Sequence, residues 1–354
     1  MKVLYLFNKV LGDSVKNVKS GKGHDSWLFG MLRLSKYDID AGFLEIEMFM
    51  PTVIASFLRK YILTMHYAHI PLFPLFFRYD IVFTSTAYGC LFLKALFGIK
   101  KFKWIILDFN ILGAIQEGKT LKQKFFTWSI TRGADGIVAI SQAEADALKK
   151  RFPKFIDKII FLHEPTDTNF FSQKSYMAEK NQIISVGNYA RDFDTIIEAV
   201  RGLGVELILA TKLISPQKAQ LLPAYVKVAH LNHQDIVRAY NESKMAIVSL
   251  KTKDSYYDSV GTLSLGESMS MGKATIVTHT KNMESYIEDG INGVFIGREN
   301  ITEMRKAICY LLNNDNKRNS IGIKAREFAL NNLDPELFAE KLAFFLKNVV
   351  QLPT

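Results

Sequence analysis

Short continuous runs of Val, Ile, Leu and Phe recur along the chain, separated by stretches long enough for a helix. This rhythm constrains the fold more than any other feature. A strand with one wet face alternates apolar and polar residues. A strand buried on both faces does not, and such strands belong to parallel sheets covered by helices. Val3–Phe7, Ile81–Ser85, Trp104–Leu107, Gly136–Ile140 and Lys158–Leu162 fit the second pattern, with a helix expected over Gln142–Arg151. The periodicity stops at Glu164-Pro165-Thr166-Asp167-Thr168, and polar residues accumulate to Lys180. It then restarts with Gln182–Val186, Glu206–Ala210, Val226–Val228, Met245–Leu250, Ala274–Thr278 and Gly293–Ile296.

The expected architecture is α/β, with two Rossmann-like doubly wound domains facing a central cleft. Residues 1–165 form the first and 166–334 the second. Residues 335–354 form a helix with Leu337, Phe338, Leu342, Phe345 and Val349 at helical spacing, expected to pack back on the first domain. The 354 residues, 48% of them hydrophobic, are enough for two cores. Ligands of such folds lie outside the carboxyl ends of the strands, so the loops there carry the function.

Charge and cysteine usage narrow the class. Lys and Arg number 45 against 35 Asp and Glu, a formal charge of +10, which suits an anionic partner. Cys90 and Cys309 are the only cysteines, which excludes a disulfide framework and a Cys-rich zinc site and fits a reducing compartment. The opening Met1–Phe7 run is too short for a secretory core. The apolar region from Phe49 to Phe77 is interrupted by Arg59, Lys60, His66, His69 and three prolines, so no spanning helix is expected.

The most specific text is 258–278. It reads as a loop, a short helix beginning near Thr262, a Gly272 cap and a buried strand. A helix N-terminus there, entered through Gly261, offers N–H groups and a positive dipole end to phosphate. Glu267, inside the helix, would accept hydrogen bonds from a ribose diol.

This segment resembles the donor-binding signature of the family-four (group 1), retaining, nucleotide-sugar-dependent glycosyltransferases with the GT-B fold. Their pattern is E-x7-E followed by A-M-A-x-G-K-P-V-V-A-T. Glu267 takes the second glutamate position, and Ser268-Met269-Ser270-Met271-Gly272-Lys273-Ala274-Thr275-Ile276-Val277-Thr278 follows it. Glu284–Phe295 resembles the family's E-x-I-x-D-G-x-N-G-x-L, and Ile140–Glu144 and Pro165–Phe171 its crossing into the second domain. The first glutamate position holds Ser259, next to Asp258, which makes the sugar harder to name.

The resemblance implies a glycosyltransferase that moves a sugar, with retention, from a nucleotide-diphosphate sugar to a hydroxyl of a glycan or lipid-linked acceptor in cell-surface glycan synthesis. A UDP-linked donor is favoured over a GDP-linked one. No cofactor or metal is implied. The alternatives are another GT-B enzyme such as a nucleotide-sugar epimerase, and a non-catalytic scaffold at the membrane.

Other positions follow from this reading. Arg191, in the loop after Gln182–Val186, aligns with a diphosphate-holding residue, with Asn188 as its companion; the alternative is a solvated arginine beside Asp192. Lys212 is a second cation for the diphosphate, or an exposed lysine starting a helix. Asn232, in the turn His230–His233, falls at the nucleobase pocket. Ser259, Gly261, Thr262 and Leu263 complete the donor set. In the first domain, Gly23 belongs to a glycine-rich loop expected before a helical run Trp27–Leu34. His24 is a phosphate donor or proton carrier, and Asp108 either accepts the acceptor's proton or caps the next helix. Aromatic and basic residues from Phe57 to Lys103, among them Arg59, Lys60, Arg78, Lys94, Lys100, Lys101 and Lys103, suit peripheral contact with an anionic membrane. The expected location is cytoplasmic, at the inner face of the membrane. No nucleic-acid motif is present.

Overall fold

The computed structural model describes residues 1–7, 10–57, 69–85, 88–115, 118–173, 177–251 and 260–351. In chain order its elements are β1 (Lys2–Leu6), α1 (Leu11–Lys19), β2 (Asp40–Phe43), α2 (Thr52–Phe57), β3 (Ile81–Thr84), α3 (Tyr88–Phe97), β4 (Lys103–Asp108), α4 (Ile111–Ile115), α5 (Leu121–Gly133), β5 (Gly136–Ala139), α6 (Gln142–Arg151) and β6 (Ile159–Phe161). There follow β7 (Gln182–Val186), α7 (Phe193–Val200), β8 (Glu206–Ala210), α8 (Pro216–Ala219), β9 (Val226–Ala229), α9 (His233–Glu242), β10 (Met245–Val248), α10 (Thr262–Ser270), β11 (Thr275–Thr278), β12 (Val294–Ile296), α11 (Ile301–Leu312), α12 (Asp315–Asn332) and α13 (Pro335–Gln351).

The strands form two parallel six-stranded sheets, ordered β2-β1-β3-β4-β5-β6 and β12-β11-β10-β7-β8-β9. Every strand expected from the sequence is present. The sequence missed β2, because Asp40-Ala41-Gly42-Phe43 is a half-exposed edge with weak strand preference. It also missed α1. The expected helix over Trp27–Leu34 is instead two 3-10 turns, Ser26–Leu28 and Met31–Tyr37, separated by Phe29 and Gly30, both with positive φ.

The chain divides into two compact units. One comprises Met1–Lys16, Leu28–Leu162 and the segment from Glu336 on; the other comprises Asn17–Trp27 and His163–Pro335. The glycine-rich segment 17–27 therefore groups with the second unit, although the sequence reading placed it in the first. In the first unit the core gathers β-strand residues Leu4, Val82, Trp104, Ile106 and Ile137 with Phe76, Leu91 and Ile130 from the covering elements. On α13, Phe338, Leu342, Phe345 and Val349 are buried, with Phe338 5.9 Å from Phe29 between ring centroids. In the second unit one face of the sheet packs Ile183, Leu207 and Ile247 against Ile196, Met304 and Ile308. The other packs Ile184 and Ala246 against Val237 and Tyr240.

Candidate functional site

The second sheet reverses its winding between β7 and β10, and in doubly wound sheets the loops leaving such neighbours diverge and open a ligand crevice. Two backbone bonds tie these loops together: Asp192 N–H donates to Ser249 O at 3.1 Å and Lys251 N–H to Ala190 O at 2.9 Å. They fix Arg191 opposite Leu250.

Arg191 is buried, not a solvated surface arginine. Its Nε donates to Val186 O (3.1 Å), one terminal nitrogen to Tyr189 O (3.1 Å) and the other to Ser264 Oγ (2.6 Å). A Cβ on Gly187 would lie 2.2 Å from Nε, so only glycine there lets the guanidinium lie flat against the backbone. Asp192 is not the partner of Arg191; its Oδ1 caps α7 through Thr195 N–H at 3.2 Å. Burial lowers the Arg191 pKa to about 10, opposed by its electrostatic interaction with Tyr240 and Glu267. It stays charged at neutral pH.

Glu267, one turn beyond Ser264 on α10, is also buried. Burial raises its pKa to about 8; Arg191 opposes this, the Glu164 charge adds to it, and a hydrogen bond with Tyr240 opposes it. The unliganded carboxyl is therefore protonated near neutral pH and ionises when a ligand donates to it. The Tyr240 hydroxyl donates to Ser264 O at 3.3 Å. α10 begins at Gly261, with φ 94°, and this N-cap residue supplies no side-chain cap to the first turn. Thr262 Oγ1 donates a short bond to Glu164 Oε2. Leu263 is half-buried on the same turn. Guanidinium, carboxyl and helix N-terminus thus converge at the switch point, suited to a ribose joined to a diphosphate.

The other expected positions behave differently. Ser259, with Asp258, lies outside the described residues. Lys212 is exposed, and its backbone N–H donates to Asn188 Oδ1 at 2.6 Å, so Asn188 joins the loops after β7 and β8. Asn232 is the N-cap of α9, accepting from Asp235 N–H at 3.0 Å. Gly23 does not offer its N–H to a ligand: that group donates to Asn17 O at 3.1 Å and closes the end of α1. His24 is buried, with Nδ1 2.8 Å from Ser26 Oγ and its ring against Phe171 (5.0 Å) and His233 (4.6 Å). That is a packed histidine.

Asp108 takes the capping role. Its Oδ1 accepts from Asn110 N–H (2.8 Å) and Ile111 N–H (2.6 Å) at the start of α4, and it is fully buried. Lys94 and Lys103 are buried and face Asp135, at 2.9 and 3.9 Å, instead of solvent. Arg59 and Lys60 lie outside the described residues. Glu164, Tyr240 and Ser264 escaped sequence reading. A glycine inside a helix, Gly266, was the available signal for the first: it marks where the 164–166 segment passes close to α10.

Residues 167–328 match the family model of glycosyl transferases group 1. The second unit carries a group 1 glycosyl transferase domain. Solved structures agree over the whole length. HepE of Anabaena, in complex with UDP, is 14% identical over 98% of this chain and 100% of that one, with a TM-score of 0.71. Sucrose-phosphate synthase of Thermosynechococcus elongatus is 13% identical over 98% of each chain, with a TM-score of 0.73. A glycosyltransferase of Rickettsia africae is 15% identical over 99% of each, with a TM-score of 0.61. At these identities the likeness establishes the fold alone, GT-B. No curated protein sequence matches the chain. Among the described residues no helix is long and apolar enough to cross a membrane, and no three His, Cys, Asp or Glu side chains are grouped to hold a metal ion.

Proposed function

We propose that this protein is a glycosyltransferase that moves a sugar from a UDP-linked donor to a hydroxyl of a glycan or lipid-linked acceptor, with retention of anomeric configuration, in cell-surface glycan synthesis. The observation that carries the reading is that Arg191 and Glu267 are both buried at the α10 N-terminal turns, with Arg191 bonded to Ser264 of that helix. Glu267 holds the ribose. Arg191, the first-turn N–H groups of α10 at Gly261–Leu263 and the exposed Lys212 stabilise the charge that grows on the departing diphosphate, electrostatic work of the kind that dominates many enzymes' rate enhancement. The departing phosphate itself accepts the acceptor's proton, so Asp108 and His24 are not needed for that step. No bound metal or cofactor takes part. HepE, which shares the fold, is solved with UDP and with UDP-glucose, and this supports a UDP-linked donor.

The acceptor sits at an anionic membrane surface on the cytoplasmic side. Exposed Val53, Ile54 and Phe57 on α2, and Leu96 and Phe97 at the end of α3 before the exposed Lys100 and Lys101, support that contact.

Thermal stabilisation by UDP and GDP, compared between the wild type and Glu267→Ala, tests the reading. UDP at about 100 times its dissociation constant stabilises by about 2.7 kcal/mol, and the variant loses the shift. No shift with either nucleotide, from folded wild-type protein, contradicts it. Turnover of UDP-glucose without an acceptor points to the epimerase instead.

A further inference from the structure

Glu164 has no part in the mechanism above, yet it is buried beside the first turn of α10. Its carboxylate accepts from Thr262 Oγ1, and its backbone N–H donates to the Tyr286 hydroxyl at 2.9 Å. The course of the chain fixes it there. Thr262 and Gly266 are four residues apart and share a helix face. A Cβ on Gly266 would lie 2.2 Å from Thr166 Oγ1, and a mid-helix glycine costs about 1 kcal/mol relative to alanine. At this site it lets residues 164–166 run directly along α10. Thr166 N–H donates to Leu333 O at 2.7 Å and holds the segment down.

A carboxylate at the anion-binding end of a helix repels a diphosphate and suits hydroxyl donors. Its charge already reaches Glu267. Position along the helix indicates which hydroxyls it meets. Glu267 lies five residues inside from Thr262, about 7.5 Å along the axis. Glu267, the first-turn N–H groups of α10 and Glu164 therefore follow the order ribose, diphosphate, sugar.

We propose that Glu164 accepts hydroxyl hydrogen bonds from the transferred sugar and selects a neutral, hydroxyl-rich donor sugar against an anionic one such as a uronate. The inference rests on the UDP-sugar reading. Discrimination comes from repulsion as well as attraction: a uronate carboxylate brought near Glu164 faces a like charge in a buried site.

Calorimetric titration with UDP, UDP-glucose, UDP-N-acetylglucosamine and UDP-glucuronate, on wild type and Glu164→Gln, is the test. The amide oxygen of glutamine still accepts from Thr262, so the fold is kept. The wild type is expected to bind at least one neutral UDP-sugar about tenfold or more tightly than UDP-glucuronate. Glu164→Gln is expected to bring that ratio to within about threefold while binding UDP as well as the wild type or better. An unchanged ratio in Glu164→Gln, with UDP binding intact, overturns this inference alone. A wild type that does not bind UDP overturns the UDP reading and the inference with it.

Discussion

Asp108, at the end of β4 in the first unit, and Glu267, inside α10 in the second, are both buried carboxyl groups, and burial raises the pKa of each, to about 6 and about 8. Their partners differ. Asp108 accepts two backbone N–H bonds at the start of α4, and its ionisable neighbour is another acid, Glu144. Glu267 receives no backbone N–H among the described residues and faces Arg191, a cation whose own bonds run to Val186, Tyr189 and Ser264. A carboxyl held through one oxygen by the turn that follows it serves the scaffold with that oxygen. One set beside a separately anchored cation, next to a helix N-terminus, is equipped for a ligand.

The largest effect is expected from Arg191→Ala. Three bonds disappear and the site loses its buried cation, so stability falls by about 3 kcal/mol or more in chemical denaturation, and UDP binding is lost. Arg191→Lys restores part of the stability only, because an ammonium cannot reproduce the planar fork. If the alanine variant is as stable as wild type, Arg191 is not anchored as described.

Next is the pH response of Glu267. A ligand that donates to the carboxylate binds the ionised form, and that form becomes dominant only as pH passes about 8. UDP affinity measured from pH about 7 to about 9 should therefore rise, and Glu267→Gln should flatten the rise and weaken binding about tenfold or more. A flat wild-type profile breaks the contrast with Asp108.

Asp108→Asn sharpens the contrast from the other side. The folded pKa, about 6, lies above the ordinary 3.8, so the protonated form is favoured in the folded state. Its stability contribution is present below about 4 and lost as pH rises through about 6, on the order of 2 to 3 kcal/mol. Asparagine keeps the Oδ1 acceptor, so the variant should lose this pH dependence in melting experiments and retain UDP binding.

The smallest effects concern the rim. Asn232→Ala removes the α9 cap and should cost about 1 kcal/mol of stability. Lys212→Ala should leave stability unchanged and weaken UDP binding about threefold, more at low salt. An Asn232→Ala variant that loses UDP affinity without losing stability would return Asn232 to the base pocket.

Much of the second unit was legible because its information is local. The apolar runs give the strands, and Glu267 with Ser268–Thr278 spells helix, cap and strand in one stretch. Arg191 stands out by its place after β7. What could not be read depends on distant contacts. Glu164 meets Thr262 across 98 positions, and Tyr240 reaches Ser264 across 24. In the first unit, β2 is weak in strand preference, and α1 lies where no buried run announces it. The packing of His24 against Phe171 and His233 joins segments that nothing in the sequence connects. Asp108 is ambiguous in sequence for a simple reason: a cap and a base use the same side chain.

The most direct measurement is the UDP dissociation constant of the wild type, Glu267→Gln and Asp108→Asn, titrated side by side by calorimetry at neutral to mildly alkaline pH. The wild type and Asp108→Asn should agree within about threefold, with Glu267→Gln weaker by about tenfold or more. Equal binding by all three, or loss of binding by Asp108→Asn alone, would contradict the assignment of the nucleotide to α10.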